Sequence, residues 1–169
     1  RLEHVAVREA VGVMDMSLMA KFRVTGPDAC RVLNHLSAAD VDTEIGKVVY
    51  TPWCNPGGGM EADLTVTRLG EDDFNVVTSD VIQTRILWMI RRAIRDLGAD
   101  AHVVEHTSGT SLFTVQGPNS RALLQRLSPD DFSNEAFPYL SANLDFSADA
   151  DIRGRTTETV GVGGLEEAS

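Results

Sequence analysis

An internal repeat is the feature that most restricts how this chain can fold. Residues 22–37 read FRVTGPDACRVLNHLS and residues 113–128 read FTVQGPNSRALLQRLS, so Phe, Val, Gly-Pro, Leu and a final Leu-Ser occupy matching places. Each copy predicts a strand, a Gly-Pro turn and a helix, with Asp28 or Asn119 as the helix cap. Two such copies indicate a pseudo-symmetric core in which they pack together. Gly-Pro-Asp is ordinary turn chemistry, so the repeat needs no ligand to explain it.

A different module lies between the two copies. It contains three predicted strands, at residues 48–51, 60–69 and 74–78, and the last two form a hairpin. A helix is predicted from about residue 81 to 97, because apolar residues recur there at helical spacing. Asp80 is placed to cap this helix, and Gly98 suits its C-terminal end.

These elements predict an α+β chain with two parts. The first body combines residues 1–46 with 99–169 and contains both copies of the repeat. Residues 47–98 form an inserted lobe made of a β-hairpin and a helix.

The central strand presents one carboxylate, Asp63, shortly after three consecutive glycines at residues 57–59. Alternation along this strand places Asp63 with Glu61, Thr65 and Thr67, on the face opposite the apolar residues. Glycine tolerates positive φ and allows a flat ligand to approach the backbone closely. One interpretation is therefore an acid beside a bound ligand, and the other is an ordinary loop followed by a solvated acid. The pattern alone favours the second.

Composition and charge exclude several classes of protein. The chain has 169 residues, of which 43% are apolar and 24% charged, as expected for a globular domain. The formal net charge of -10 argues against a nucleic-acid partner, because such proteins use Lys and Arg to release phosphate counterions. Arginines interrupt the most apolar helical stretch, residues 81–94, so neither a membrane span nor a signal peptide is predicted.

The cysteines and histidines predict no metal site. Cys30 and Cys54 have no CxxC motif or Cys/His cluster beside them, and the histidines lack the spacing of metal ligands. We expect two structural thiols in a reducing compartment.

Three runs carry a family resemblance between residue 8 and about residue 140. They read REAVGVMDMSLMAKFRVTGPDA, GKVVYTPWCNPGGGMEADLTVTRLGEDDFNVVTS and SLFTVQGPNSRALLQRL. In this order they resemble the tetrahydrofolate-binding aminomethyltransferase family. The family includes the glycine cleavage T protein and the C-terminal folate domains of sarcosine and dimethylglycine dehydrogenases. The sequence of these runs is more similar to the second group. Because the family is much longer, the resemblance predicts an N-terminal fragment of that region.

The resemblance also implies site residues. Asp63 matches the catalytic aspartate, and Tyr50 takes the place of a tyrosine that lines the folate pocket. Val76 and Thr78 lie on the hairpin strand that meets the pterin. Ala62 and Leu18 stand where T proteins carry Asp and His, which favours the amine-dehydrogenase relatives.

The last implied position lies in the C-terminal tail, where periodicity is lost. Glu166 takes the place of an acid that anchors the pterin ring, so that the cofactor-binding set is Tyr50, Asp63, Val76, Thr78 and Glu166. Thr159 and Val162 depart from the family pattern around Glu166.

The implied function is transfer of a one-carbon unit from a small amine or iminium donor to tetrahydrofolate, giving 5,10-methylenetetrahydrofolate. A carboxylate such as Asp63 can stabilise the cationic donor and assist proton transfer. No GxGxxG motif is found, so FAD would belong to a flavin domain elsewhere in the same polypeptide. We expect a cytoplasmic protein, or a mitochondrial matrix protein in a eukaryote.

The charge and the length of the chain bear on this function. An anionic folate tail needs a local positive patch, for which Lys21, Arg23, Lys47 and the helix arginines are candidates. The alternative to a transferase is a non-catalytic or truncated folate-binding or interaction module, inactive in isolation.

Overall fold

A computed structural model describes residues 1–142 of the chain. These residues contain four α-helices and seven β-strands: α1 (Leu2–Glu9), β1 (Gly12–Asp15), β2 (Ala20–Thr25), α2 (Ala29–Leu36), β3 (Val48–Cys54), β4 (Met60–Gly70), β5 (Asp73–Thr78), α3 (Gln83–Asp96), β6 (His102–Glu105), β7 (Phe113–Gln116) and α4 (Ser120–Gln125). None of the helices within this range combines the length and apolar character needed to cross a membrane.

The chain divides into two compact units, and Ser17–Leu112 forms the larger one. Its centre is a five-stranded antiparallel sheet in the order β3-β4-β5-β2-β6. Helices α2 and α3 cover one face of this sheet. The core between them is built from alternate strand residues and one face of each helix, including Phe22, Trp53, Phe74, Ile86 and Ile90, all 0% exposed. Burying each such side chain stabilises the fold by about 1.5–3 kcal/mol.

The smaller unit combines Arg1–Met16 with the described residues from Phe113 onward. Strands β1 and β7 pair antiparallel, from Gly12 opposite Gln116 to Asp15 opposite Phe113. After α4 the chain is held to that helix by Arg121, whose guanidinium donates to the carbonyl oxygens of Phe132 and Phe137 at 2.6 and 3.2 Å.

The structure confirms the strand-turn-helix repeat and gives its two turns the same geometry. Gly26 and Gly117 have φ of 119° and 120°. The amide of the residue that follows each Gly-Pro pair donates to a backbone carbonyl oxygen: Asp28 to Asp100 at 3.1 Å and Asn119 to Ala10 at 3.0 Å. A Cβ on Gly26 would lie 2.6 Å from the Asp100 oxygen, and one on Gly117 would lie 2.5 Å from the Ala10 oxygen. Close backbone approach therefore requires glycine in both copies.

The repeat extends further than the sequence indicates. Strand β6 pairs with β2 in the same register in which β1 pairs with β7: Val103 lies opposite Val24, and Val13 lies opposite Val115. A helix precedes each of these partner strands, α3 before β6 and α1 before β1. Each unit thus contains a helix-strand segment paired with a strand-turn-helix segment.

The grouping of the chain differs from the sequence prediction of one body at residues 1–46 and 99–169 with a lobe at 47–98. Strand β2 pairs with β5 along its whole length, so residues 20–25 share a sheet with the predicted lobe. The two copies of the repeat belong to different units. The physical reason is that each copy obtains its partner strand from a different helix-strand segment, and neither needs the other copy to complete its pairing.

The predicted helix caps also differ. Asp28 and Asn119 are at the N-cap positions of α2 and α4 but make no side-chain cap hydrogen bond, and the N-cap of α3 is Ile82 and not Asp80. The Asp28 carboxylate accepts instead from the Asp100 amide at 2.8 Å, which ties the turn to the segment before β6. At the other end of α3, Gly98 has φ of 55° and ends the helix as predicted.

Candidate functional site

The sheet face opposite the helices carries the candidate site. Cross-strand partners share a face, so the register assigns the residues around Asp63. Asp63 is opposite Pro52, and in the next row Tyr50, Thr65 and Val77 lie side by side on β3, β4 and β5. Asp63 is exposed, as the alternation of β4 predicted.

Two hydrogen bonds hold Asp63 in place. The Tyr50 hydroxyl donates to the Asp63 carboxylate, with 3.1 Å between Oη and Oδ2. The Thr78 hydroxyl donates to the Asp63 carbonyl oxygen at 3.0 Å, which fixes the backbone at the same residue. The hydrogen bond to Asp63, together with its negative charge, raises the pKa of Tyr50 above the ordinary value. Tyr50 therefore remains a protonated donor at neutral pH.

The structure brings Tyr50 and Asp63 together but places the side chains of Val76 and Thr78 on the core face. Val76 is 0% exposed and lies opposite Phe22, while Thr78 is 1% exposed and lies opposite Leu64. A strand alternates its side chains, so the β5 residues on the Asp63 face are Asn75 and Val77. The assignment of Val76 and Thr78 to the site stays a prediction, and on the Asp63 face it can rest only on the backbone of these residues. Glu166 lies outside the described residues.

A second polar row crosses the same face next to Tyr50, Thr65 and Val77. Thr67, Asn75 and Arg23 are neighbours on β4, β5 and β2. The Asn75 amide oxygen is 3.2 Å from Nε2 of His106, and Arg23 forms an ion pair with Asp73. Sequence reasoning missed His106 because it is 31 residues from Asn75 and belongs to no recognisable motif.

The glycine-rich loop is organised by Asn55. Its side-chain oxygen accepts from the amides of Gly57 and Gly59 at 2.9 and 3.0 Å. A Cβ on Gly59 would lie 2.9 Å from the Asn55 amide nitrogen, and one on Gly57 would lie 3.2 Å from its oxygen. These two glycines therefore make room for Asn55, whereas Gly58 provides the positive φ of 82°. The geometry of the turn itself therefore explains why these positions are glycines.

Glu61 does not share the face of Asp63, in contrast to the prediction from strict alternation. The register shifts between Trp53 and Cys54, which pair with Ala62 and Met60, so Glu61 is the extra residue of a β-bulge. Its carboxylate forms an ion pair with Arg85 on α3, the helix that covers the core face. A bulge re-aims the side chain at this position.

Most candidates for a positive patch already have protein partners. Lys21 is 2% exposed, and its ammonium donates to the carbonyl oxygens of Ser17 and Met19 at 3.0 and 2.8 Å. Lys47 lies 3.9 Å from Glu44. Among the arginines of α3, Arg85 pairs with Glu61, and Arg92 and Arg95 both pair with Asp96. These contacts reduce the positive charge available to an anionic ligand.

Residues 1–142 contain no group of three or more His, Cys, Asp and Glu residues arranged to hold a metal ion. Cys30 and Cys54 are free cysteines. The polar groups on the Asp63 face include the Asp63 carboxylate, the Tyr50 phenol and the Thr65 hydroxyl.

Comparison with known proteins decides the family. The GCVT N-terminal domain family matches residues 1–161. The chain belongs to this family. This chain is 43% identical over 142 residues to 4-methylaminobutanoate oxidase (formaldehyde-forming) from Paenarthrobacter nicotinovorans. The alignment covers 84% of this chain and 17% of the oxidase. This chain is also 32% identical over 177 residues to mitochondrial sarcosine dehydrogenase from Homo sapiens. That alignment covers 97% of this chain and 19% of the dehydrogenase.

A solved structure supports the fold. The GCVT chain superposes with a TM-score of 0.71 and 25% identity on the glycine cleavage system aminomethyltransferase T from Bartonella henselae, over 83% of this chain and 37% of that one. This match confirms the predicted α+β aminomethyltransferase fold. The GCVT chain spans about a fifth of the length of the oxidase and the dehydrogenase.

Proposed function

We propose that this chain forms part of a folate site in an enzyme that transfers a one-carbon unit to tetrahydrofolate and yields 5,10-methylenetetrahydrofolate. The observation that carries the proposal is the Asp63 carboxylate, exposed on the sheet face opposite the helices and oriented by Tyr50. Membership of the GCVT family supports tetrahydrofolate as the acceptor.

The residues around Asp63 suit a flat, partly polar ligand. Tyr50 offers an aromatic ring that is 59% exposed, and Val77 and Thr65 continue the surface on the next two strands. An aromatic ring and an aliphatic side chain give a pterin ring a surface for stacking, while the hydroxyl of Thr65 offers a hydrogen bond. Tyr50, Thr65, Val77 and Asp63 would therefore hold the ring.

Asp63 would carry the chemistry of transfer. A first folate nitrogen attacks the electrophilic carbon of a cationic iminium donor, and the carbon-nitrogen π electrons move to the donor nitrogen. The folate nitrogen then loses its proton and the donor nitrogen gains one, so that the amine can leave as the second folate nitrogen binds the same carbon and loses its own proton. The Asp63 carboxylate stabilises the positive charge and can accept and return these protons. Tyr50 engages Oδ2, so Oδ1 is the oxygen that would face the reacting groups. Holding the two reactants beside this carboxylate would itself supply much of the acceleration.

The donor is proposed to be a small amine oxidised to an iminium, as in a sarcosine or dimethylglycine dehydrogenase, in preference to a glycine cleavage substrate. The names of the oxidase and dehydrogenase relatives support this choice. Ala62 and Leu18 support the same choice of donor, since T proteins carry Asp and His in those places. FAD would be bound by a flavin domain elsewhere in the same polypeptide, in the cytoplasm or the mitochondrial matrix.

A non-catalytic folate-binding module is the second candidate. Asp63 is exposed, as an ordinary surface acid would be, and the basic residues near the sheet are largely paired within the chain. Both observations fit a site that binds folate weakly and performs no transfer.

Calorimetric titration with tetrahydrofolate tests the proposal, using this chain and the full natural polypeptide that contains it. We expect micromolar affinity or weaker for the chain alone and tighter binding for the full polypeptide. A heat signal supports folate binding. Methylenetetrahydrofolate formation after a small amine and an electron acceptor are added to the full polypeptide supports the transferase, and binding without formation supports the module. No heat from either protein would rule out both.

A further inference from the structure

The bulge at Glu61 lies two residues before Asp63 and is held by a side-chain network. Asn55 donates from Nδ2 to Glu61 Oε1 at 2.8 Å, and the other Glu61 oxygen pairs with Arg85 of α3. Asn55 also binds the amides of Gly57 and Gly59. We call these three side chains, Asn55, Glu61 and Arg85, the bulge network.

This network joins three parts of the larger unit. Asn55 directly follows β3, Glu61 is near the start of β4, and Arg85 is in the first turn of α3. The Glu61 side chain is only 18% exposed, so its carboxylate is shielded more than that of a typical surface acid. Partial burial strengthens an ion pair because water screens it less.

The backbone at Asp63 is therefore held from both sides. Downstream, the Thr78 hydroxyl binds the Asp63 carbonyl oxygen. Upstream, the bulge network maintains the extra residue in β4. A strand without that anchor can regularise its pairing, and a slip by one residue reverses the side chains that it affects.

We propose that Asn55, Glu61 and Arg85 are positioning residues for the Asp63 carboxylate, which act by maintaining the β-bulge that precedes it. The effect of this positioning on catalysis rests on the proposed function, but the positioning of the Asp63 carboxylate itself does not. The network also directs the Glu61 carboxylate toward Arg85 and away from the Asp63 face. Asp63 thus meets a cationic donor without a second acid beside it on β4.

The geometric part can be measured through Tyr50, without folate. Tyr50 binds Asp63 directly, so ionisation of its phenol reports where the Asp63 carboxylate lies. The experiment places 3-fluorotyrosine at position 50 of the full natural polypeptide and follows its ¹⁹F resonance against pH. Asp63→Asn gives the reference state in which the carboxylate charge is lost.

We expect Glu61→Ala to shift the Tyr50 pKa from its wild-type value toward the value in Asp63→Asn. Glu61→Gln keeps an acceptor for Asn55 and should retain more of the wild-type value. Asp96→Ala is the matched control, because it removes ion pairs on the same helix. Asp96 is eleven residues beyond Arg85, about 16 Å along the helix axis.

Turnover provides the second measurement. Glu61→Ala should lower kcat for methylenetetrahydrofolate formation by up to about a hundredfold, the scale of a small misplacement of a reacting group, with little change in KM for folate. A Tyr50 pKa that is the same in wild type, Glu61→Ala and Glu61→Gln would overturn the proposal. If Glu61→Ala moves the pKa while Asp63→Asn leaves methylenetetrahydrofolate formation intact, the geometric role stands and the catalytic role of Asp63 fails. If the wild-type polypeptide forms no methylenetetrahydrofolate, the proposed transferase function itself fails.

Discussion

The Tyr50 hydroxyl and the Asp63 carboxylate are joined by a hydrogen bond of 3.1 Å across two neighbouring strands. Tyr50 lies opposite Thr65 and Asp63 lies opposite Pro52, so the two side chains are diagonal neighbours on the sheet face opposite the helices. This relationship gives one otherwise exposed acid a defined orientation. The first two predictions separate the acid from the group that orients it.

Asp63→Asn is expected to lower turnover by about a hundredfold or more, because it removes a positioned acid-base and charge-stabilising group. Folate binding should change little, since Asn keeps the shape and an acceptor for Tyr50. The assay follows methylenetetrahydrofolate directly in the full natural polypeptide, because upstream amine oxidation would continue and release formaldehyde. Equal rates in wild type and variant would place the chemistry on another residue.

Tyr50→Phe is expected to lower turnover by about tenfold, the effect of losing roughly one hydrogen bond that orients Asp63. The aromatic ring remains, so folate affinity measured by calorimetry should be nearly unchanged. A large loss of affinity with unchanged kcat would instead show that the hydroxyl binds folate and does not act through Asp63. Tyr139→Phe is the matched control, since it removes the hydroxyl of the other tyrosine.

Asp28 should contribute to the pH dependence of the free energy of unfolding in the acid range. The hydrogen bond from Arg31, followed by that from the Asp100 amide, lowers the pKa of Asp28 below its ordinary value of 3.8. Because the folded value lies below the unfolded one, this contribution is present above the unfolded pKa and is lost as pH falls through the folded pKa.

Urea unfolding at a series of pH values tests this prediction with Asp28→Asn. The second copy of the repeat already has Asn119 at this place, so the substitution keeps a side chain that the turn accepts. We expect stability to depend less steeply on pH below the ordinary Asp pKa of 3.8 in the variant than in wild type. Identical slopes would show that the Asp28 carboxylate makes no net contribution.

Gly26→Ala should destabilise the larger unit by about 1–3 kcal/mol, the typical cost of forcing a side chain into an unfavourable backbone region, with the contact to Asp100 added. Gly58→Ala is a suitable comparison, because its φ of 82° is also positive but a Cβ there meets nothing within 4 Å. Chemical unfolding should give a smaller loss for Gly58→Ala. Equal losses would mean that backbone strain alone, and not the approach of Asp100, determines the cost.

The sequence by itself determined the local structure of this protein. Each Gly-Pro repeat specifies a strand, a turn and a helix, and the alternation of β4 places Asp63 opposite the apolar residues. Gly98 likewise specifies the end of α3. These features follow from backbone preferences and side-chain periods within a few residues, which a chain expresses wherever the segment lies.

Tertiary structure decided which segments pair and which side chains meet. Neither copy of the repeat contains its own partner strand, so the division into two units depends on pairing between distant segments. The bulge at Glu61 is likewise specified by contacts with Asn55 and Arg85, the second of which is on another element. The resemblance places Val76 at the site by its strand, whereas the pairing with Phe22 shows that its side chain is on the core face. Local patterns cannot determine such features, because strand register and helix packing depend on contacts between residues far apart in sequence.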